Sequence, residues 1–388
     1  MEFLNSAVNE KVINWRRFMH KYPEISFKEE KTAAYIAGEI AKYEGVEIFK
    51  PAGNSIVAVL TGGKPGKVVA LRADFDALPI VEEADVPFKS ENVGVMHACG
   101  HDCHAAMLLG ALDVLHGRRD ELPGRVVFIF QHAEELLPGG AQEIVKSGIL
   151  GQFGIEAFFA VHVFPDAPVG TVKISPGNMM ANTDAFKINI QGRGAHGAMP
   201  ETGIDTLLIG TEVVQALNFI TSRYVAAFDN AVLSIGKFSA GTAPNIIPDT
   251  AVIEGTVRSM KPKTRDMIEN RVKEMAKNIC AAYGGTCSVD YLRGYTSVYN
   301  DDRLCREFKE VIAKTLPELN MVDMLPLMGG EDFSAYQAIA PTLFLSLGAM
   351  PASGEWYINH HPKFELNEDV LPVGTALYAV FATFMAEK

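Results

Sequence analysis

Short, uninterrupted apolar runs followed by helical stretches constrain this chain most. Ser55-Ile56-Val57-Ala58-Val59-Leu60 and Val68-Val69-Ala70-Leu71 are two such runs, separated by Gly62-Gly63-Lys64-Pro65-Gly66. The runs at 125–130 and 157–161 follow helical stretches at 102–116 and 141–149. A strand with no polar side must be covered on both faces, which predicts an α/β fold with a mostly parallel sheet flanked by helices. Upstream, residues 5–43 read as two helices around Tyr22-Pro23-Glu24; Ala33, Ala34, Ile36, Ala37 and Ile40 form the apolar face of the second, at 29–43.

Near residue 182 the period changes. Ala185-Phe186-Lys187-Ile188-Asn189-Ile190-Gln191 alternates apolar and polar residues, the mark of a sheet with one wet face. A helix at 205–222, strands at 231–238 and 251–258, a helix at 263–282 and a strand at 285–292 complete the order β-α-β-β-α-β, the ferredoxin-like α+β unit. Helix, strand and helix at 302–316, 342–347 and 369–386 then return to the first pattern. The expected organisation is therefore a catalytic domain in two parts, 1–181 and 295–388, with an inserted lid or dimerisation domain at 182–294.

The totals exclude several classes. The 388 residues carry a formal charge of -12 with no block of Lys and Arg to offset it, so nucleic acid is not an expected partner. No apolar run approaches the ~20 residues that span a bilayer, so no membrane partner is expected. Met1-Glu2-Phe3-Leu4-Asn5 shows no basic segment leading into an apolar core, so no signal peptide is expected. Five cysteines are too few for a disulfide framework in a chain this long, and a cytoplasmic location with reduced thiols follows as the expectation.

The chemistry concentrates in Met96-His97-Ala98-Cys99-Gly100-His101-Asp102-Cys103-His104, which holds three of the ten histidines and two of the five cysteines. Cys99 and His101 are two apart, and Gly100 between them permits a tight turn, so the pair can grip one ion. Asp102 is expected to cap the helix that follows. Other strands also end in polar groups: Leu71 runs into Arg72-Ala73-Asp74-Phe75-Asp76, Phe130 into Gln131-His132-Ala133-Glu134-Glu135, and Val161 into His162. Open α/β sheets bind ligands at the carboxyl ends of their strands, so these groups should converge. With Asn359-His360-His361-Pro362 they supply donors enough for two ions. The adjacent Glu134 and Glu135 suggest a division of labour, one binding metal and the other taking a proton from water. A buried structural cysteine and a cysteine nucleophile paired with histidine are the competing readings of the cluster.

Ala70 to Pro79, Met96 to His104, Glu134-Glu135 followed by Pro138-Gly139-Gly140-Ala141, Gly330-Glu331-Asp332-Phe333 and His360-His361-Pro362 together resemble the N-acyl-amino-acid amidohydrolases. That family includes hippurate hydrolase, the indoleacetyl-amino-acid hydrolases and the acetyl-diaminopimelate deacetylases, within the aminoacylase and carboxypeptidase superfamily. The resemblance spans nearly the whole chain. It implies a di-metal exopeptidase-like catalytic domain, an inserted lid through which two subunits form a homodimer, and two divalent metal ions per subunit. By position, Cys99, His101, Glu135, His162 and a C-terminal histidine would be the ligands; His360, two before the proline, takes the last place ahead of His361. Glu134 would be the general base. His196, in Gly192-Arg193-Gly194-Ala195-His196, would polarise the scissile carbonyl in the neighbouring subunit's site, and Asn245 and Arg258 would hold the substrate carboxylate.

Taken without the resemblance, His196 is an exposed loop residue, Asn245 a turn residue between prolines and Arg258 a strand-end charge. Asp76 is expected to orient a ligand, whereas Asp74 and Asp102 serve equally well as turn and cap residues. His132 stands where relatives often have proline, and its role is open between binding metal, tuning Glu134 and facing away. The activity expected is hydrolysis of the amide bond of an N-acyl amino acid or small dipeptide. A water bridging ions about 3.5–4 Å apart would attack while Glu134 moves its proton to the leaving amine. Zinc suits the mixed donors, with nickel, cobalt or manganese as alternatives. A non-catalytic acyl-amino-acid-binding protein and a hydrolase using Cys99 as nucleophile are the alternative readings.

Overall fold

The computed structural model describes residues 6–387, so the predicted helix start at residue 5 and the reading of Met1 to Asn5 lie outside the described residues. The helices are α1 (Ser6–Lys21), α2 (Glu30–Ile40), α3 (His101–Gly117), α4 (Gly140–Lys146), α5 (Thr206–Arg223), α6 (Pro262–Ala282), α7 (Asp302–Thr315) and α8 (Val370–Glu387). In chain order the strands begin with β1 (Val46–Phe49), β2 (Ile56–Thr61), β3 (Lys64–Asp74), β4 (Pro123–Gln131), β5 (Ala157–Phe164), β6 (Thr171–Lys173) and β7 (Gly177–Met180). They continue with β8 (Asn182–Gln191), β9 (Ala195–His196), β10 (Ala231–Ala240), β11 (Ile246–Ile247), β12 (Thr250–Ser259) and β13 (Thr286–Arg293). The last are β14 (Val298–Asn300), β15 (Asn320–Val322) and β16 (Thr342–Gly348).

Two compact units divide these elements. The first runs to Met179 and resumes over Tyr299–Leu325 and from Asp332 on; the second comprises Met180–Val298 and Pro326–Glu331. No periodicity in the sequence announces that Pro326–Glu331 returns to the second unit.

An eight-stranded sheet in the order β1-β2-β4-β3-β5-β16-β6-β15 forms the first unit. Its centre, β4-β3-β5-β16, is parallel, while β1-β2-β4 and the β16-β6 joint are antiparallel. Neighbouring residues of β5 explain why its sequence has no polar alternation. Phe158 stacks on Tyr336 of a short 3-10 segment, Asp332–Ala338, whereas Phe159 stacks on Phe381 of α8 and meets Phe308 of α7. Successive side chains of a strand point to opposite faces, so both faces are covered. Helices α1, α3 and α8 pack on one another, with α8 lying across β3 and β4. By length and composition α8 would serve to cross a membrane, contrary to the expectation that no apolar run comes close; 72% of it is buried within the protein, the situation of a core helix.

Two helix ends fall short of the sequence pattern. α2 stops at Ile40 rather than 43, and α4 stops at Lys146, with a 3-10 turn at Ile149–Gln152 after Gly148 takes a positive φ of 74°. Glycine in the left-handed region commonly ends a helix.

In the second unit, the sheet order β10-β12-β8-β13 is antiparallel throughout, with α5 and α6 as its helices. Strand β8 buries alternate residues, and Phe186, Ile188 and Ile190 meet Ile209, Val213, Leu217 and Ile220 of α5 in one core. Helix α6 contributes Ile268, Val272, Ala276 and Cys280, spaced four apart on one stripe. Asp205 caps α5 by accepting from the Leu207 and Leu208 amides, and Pro262 opens α6, where its missing N–H costs nothing.

Arg265 is buried in this unit, and its guanidinium donates to Asp184, which also accepts from Tyr291 Oη at 3.0 Å. Removing one partner strands the other charge without water. Asp184→Ala is expected to cost about 3–5 kcal/mol in chemical denaturation. Lys187→Ala, which removes an exposed pair with Glu254 at 3.8 Å, should cost less than about 1 kcal/mol.

Candidate metal centre

Because β3, β4 and β5 are parallel neighbours, their carboxyl ends lie on the same edge of the sheet. Asp74 ends β3 opposite Gln131 at the end of β4, and His162 lies near the end of β5 opposite Ser346 of β16. The Cys99-Gly100-His101 turn arrives at this edge from the start of α3. Gly100 has φ +84°, and a Cβ there would sit 2.5 Å from Val163 Cγ2, so only glycine fits.

Asp102 does not cap α3, contrary to expectation. The helix begins at His101 with Gly100 in the capping position, so Asp102 is already its second residue and turns toward α1. There its Oδ2 accepts from Arg16 Nε at 2.9 Å and faces His20 Nδ1 at 2.9 Å. Beside it His97 is buried with neither nitrogen hydrogen-bonded, and burial pushes its pKa down to about 4.

Five donor residues converge at the sheet edge. Cys99, His101 and His162 form one group whose donor atoms lie within 4.8 Å of one another, Cys99, Glu135 and His360 form a second, and His101, Glu134 and Glu135 a third. Cys99 Sγ is 3.5 Å from His162 Nε2, Glu135 Oε1 is 3.9 Å from His101 Nε2, and His360 Nε2 is 3.0 Å from Glu135 Oε1. Because the groups share Cys99, His101 and Glu135, they form one continuous cluster. His361 stays outside it, stacked on Tyr357, with its Nδ1 accepting from the Lys363 amide at 3.0 Å.

The hydrogen bonds fix which nitrogens are free to bind. His101 Nδ1 lies 3.0 Å from the Asp76 carbonyl, which can only accept, so Nδ1 carries a proton and in the neutral ring the lone pair is on Nε2. That Nε2 is buried without a hydrogen-bond partner, and so is Glu135 Oε1, which His360 approaches out of line for a bond. His162 Nδ1 likewise faces the Val163 carbonyl at 2.9 Å and turns Nε2 toward Cys99. Orphaned lone pairs on imidazole and carboxylate, beside a thiol, are a donor set that fits divalent cations. His104 is excluded, because Nε2 accepts from the Val163 amide and Nδ1 is engaged by Asp74.

Asp74 and Asp76 have separate tasks. Asp76 Oδ1 stands 3.2 Å from His101 Nδ1, and its Oδ2 accepts from Ser26 Oγ at 2.7 Å and from the Glu135 amide at 3.0 Å. Asp74 accepts from Arg72 Nη1 at 2.7 Å and bonds His104 Nδ1 at 2.6 Å. Burial opposes charge on Asp74, but Arg72, His101 and His104 hold its carboxyl well below the usual range. Arg72 is 2% exposed and also donates to Gln131 Oε1 at 2.9 Å and Asp332 Oδ1 at 2.8 Å. Sequence reasoning did not single out Arg72 or Asp332; an arginine inside an apolar strand was the available signal, since a buried guanidinium requires carboxylates.

The Cys99 thiol and the Glu135 carboxylate close beside it hold the His360 imidazole up to about 10. Burial opposes charge on His101, yet Asp74, Cys99 and Asp76 raise it well above the ordinary value. Both shifts report a local excess of negative charge, the field that attracts a cation.

His132 faces away from the cluster. Its Nδ1 is 2.5 Å from Ser55 Oγ and its Nε2 3.1 Å from Glu143 Oε2, so both nitrogens are engaged elsewhere.

His196, Asn245 and Arg258 belong to the second unit. Strands β9 and β11 pair His196 with Ile246, and the Gly197 amide donates to the Asn245 carbonyl at 2.8 Å, so His196 and Asn245 are neighbours. His196 Nδ1 accepts from the Ala198 amide at 3.0 Å, which puts the ring proton on the exposed side at Nε2. Arg258 lies on β12 opposite Val232 and Thr183, half-buried, with Nη1 donating to the Val257 carbonyl.

The model of peptidase family M20/M25/M40 matches residues 70–383. An N-acyl-L-amino acid amidohydrolase of Geobacillus stearothermophilus is 44% identical over 299 residues, covering 77% of this chain and 80% of its own. An N-acetylcysteine deacetylase of Bacillus subtilis strain 168 is 37% identical over 385 residues, 99% of each chain. A solved Bacillus subtilis structure, a dinuclear metal-binding peptidase from the M20 family, superposes with a TM-score of 0.86 at 34% identity over 98% of this chain and 99% of that one. The chain belongs to peptidase family M20/M25/M40.

Proposed function

We propose that this protein hydrolyses the amide bond between an acyl group and an amino acid, or the bond of a small dipeptide, at two divalent cations held by Cys99, His101, Glu135, His162 and His360. The observation that carries the reading is the convergence of these donors with Glu134, whose carboxylate lies within 4.8 Å of the ligating atoms of His101 and Glu135. Bound there, the cations would polarise the amide carbonyl and lower the pKa of a water toward neutrality. Glu134, 7% exposed, takes a proton from the attacking water and delivers it to the leaving amine. His196, with its Nε2 proton outward, donates a hydrogen bond to the carbonyl oxygen of a substrate held in the partner subunit. Asn245 and Arg258 hold the free carboxylate of the amino acid, the guanidinium by paired hydrogen bonds.

Thiolate, imidazole and carboxylate donors together favour zinc as the native metal, with nickel, cobalt and manganese as ions such a site also accepts. The second unit serves as lid and homodimer interface. Its edge strand β10 exposes Val232 and Phe238, the neighbouring α5 exposes Leu207, Leu208 and Phe219, and Phe228 between them is 100% exposed. An open strand edge beside exposed apolar side chains is a surface suited to a second copy. A cytoplasmic location fits the absence of disulfides among the described residues, where all five cysteines are free thiols.

Glu134→Ala is expected to keep two metal ions per chain while kcat falls by about 10²–10⁴-fold, assayed on acetyl, benzoyl and indoleacetyl amino acids. Full turnover in that variant would remove Glu134 from its role. Chelation should abolish hydrolysis and added zinc restore it; a metal-free protein that stays fully active would instead implicate Cys99 as nucleophile. For the lid, mixing Glu134→Ala and His196→Ala subunits should recover hydrolysis that neither variant has alone, and a mixture that stays dead under conditions of subunit exchange would argue against sharing of the site across a dimer.

A further inference from the structure

Glu134 follows a residue in an unusual backbone conformation. Among the described residues only Phe27, Ala133 and His360 have positive φ without being glycine. Residues with a Cβ occupy that region when their surroundings hold them there. Ala133, at φ +50°, is held at both ends: its amide donates to Glu29 Oε1 at 2.9 Å, and its carbonyl accepts from the Gly140 amide at 3.0 Å. Phe27, at φ +66°, donates its amide to the same Glu29 oxygen at 2.8 Å, while Asn54 Nδ2 donates to Oε2 at 2.9 Å.

A glutamate just before a helix would ordinarily be taken for a cap. Glu29 is the residue before α2, but its side chain makes no capping bond there. That task falls to Glu24, whose Oε2 accepts from the amide and hydroxyl of Thr32. Glu29 is 0% exposed, and burial pushes its carboxyl up to about 7. A carboxyl kept in such a place is offset by its three donors, and one of them is the amide immediately before the proposed base.

We propose that Glu29 is a positioning residue for Glu134: its carboxyl oxygen fixes the left-handed turn at Ala133 and thereby aims the base at the cluster of donors. The proposal rests on the reading of Glu134 as general base. What it requires of Glu29 is reach, since the acceptor must span to the Ala133 amide; charge is secondary. The two conservative substitutions therefore separate the possibilities. Glu29→Gln keeps the length and an acceptor oxygen, and Asn54 can turn its amide to suit the new donor. Glu29→Asp keeps the acid but is one methylene short.

In zinc-loaded protein, Glu29→Asp should lower kcat about tenfold or more with KM within about twofold and the metal content unchanged. Glu29→Gln should recover most of the wild-type kcat. Crystal structures of the pair provide a readout independent of turnover: in Glu29→Asp the φ of Ala133 leaves the positive region and the Glu134 carboxylate is displaced, and in Glu29→Gln neither moves. Unchanged kcat in Glu29→Asp, or equal losses in both variants that track lost metal or a lowered Tm, would overturn the proposal. If wild-type protein cleaves no acyl amino acid, the functional reading fails, and the placement of Glu134 in the two structures still decides the role of Glu29.

Discussion

A histidine can offer a lone pair to a cation only when its other nitrogen keeps the proton, and here that condition falls to Asp76. Its carbonyl and carboxylate face His101 Nδ1, and its second carboxylate oxygen takes the Glu135 amide. A single side chain, two residues past the end of β3, thus orients two of the five proposed ligands. Such outer partners set ring orientation and raise ligand basicity. Without this arrangement the buried, unbonded Nε2 of His101 would be an uncompensated cost to folding; with it, that atom is a prepared donor.

The layer beneath works on the same principle with full charges. Arg72 is buried inside an apolar strand and reaches Asp74, Gln131 and Asp332, while Gln131 Nε2 donates to both Asp332 oxygens at 2.8 Å. The Ala141 amide joins Asp332 at 3.0 Å, tying the start of α4 to the same carboxylate. Every member is satisfied by another, which is the condition under which buried charge rigidifies a site. The network also spans distance in sequence, because Arg72 and Asp332 are 260 residues apart.

That distance explains what could be read beforehand and what could not. Strands covered on both faces betray themselves as unbroken apolar runs, as Phe158 and Phe159 illustrate, and the period-two pattern of β8 marks the change of architecture just as plainly. Donor residue types clustered in Met96 to His104 and at strand ends were also visible, because ligands sit where parallel strands finish. Orientation was not. Asp102 has the composition of a cap, yet α3 starts two residues earlier than a cap there would require, and Arg16 and His20 claim its side chain. His132 invites a catalytic reading by its place before Glu134, yet Ser55 and Glu143 occupy both its nitrogens. His360 and His361 are indistinguishable by type; the positive φ of His360 and the bond from its amide to the Ala98 carbonyl decide which one enters the cluster.

Two adjacent glutamates proposed for different duties pose a geometric problem, because neighbours in an extended strand point to opposite sides and neighbours in a helix lie about 100° apart. Glu134 and Glu135 occupy neither; they follow the left-handed Ala133. The backbone here is fixed at successive points by carboxylates from other elements, Glu29 on the Ala133 amide and Asp76 on the Glu135 amide. Each anchor sets one peptide plane, and the two side chains diverge between them: both approach His101, but Glu135 goes on to His360 while Glu134 goes on to Asp332. The different directions taken by these identical neighbours are in this sense a property of the backbone, held by two buried acids, Glu29 and Asp76.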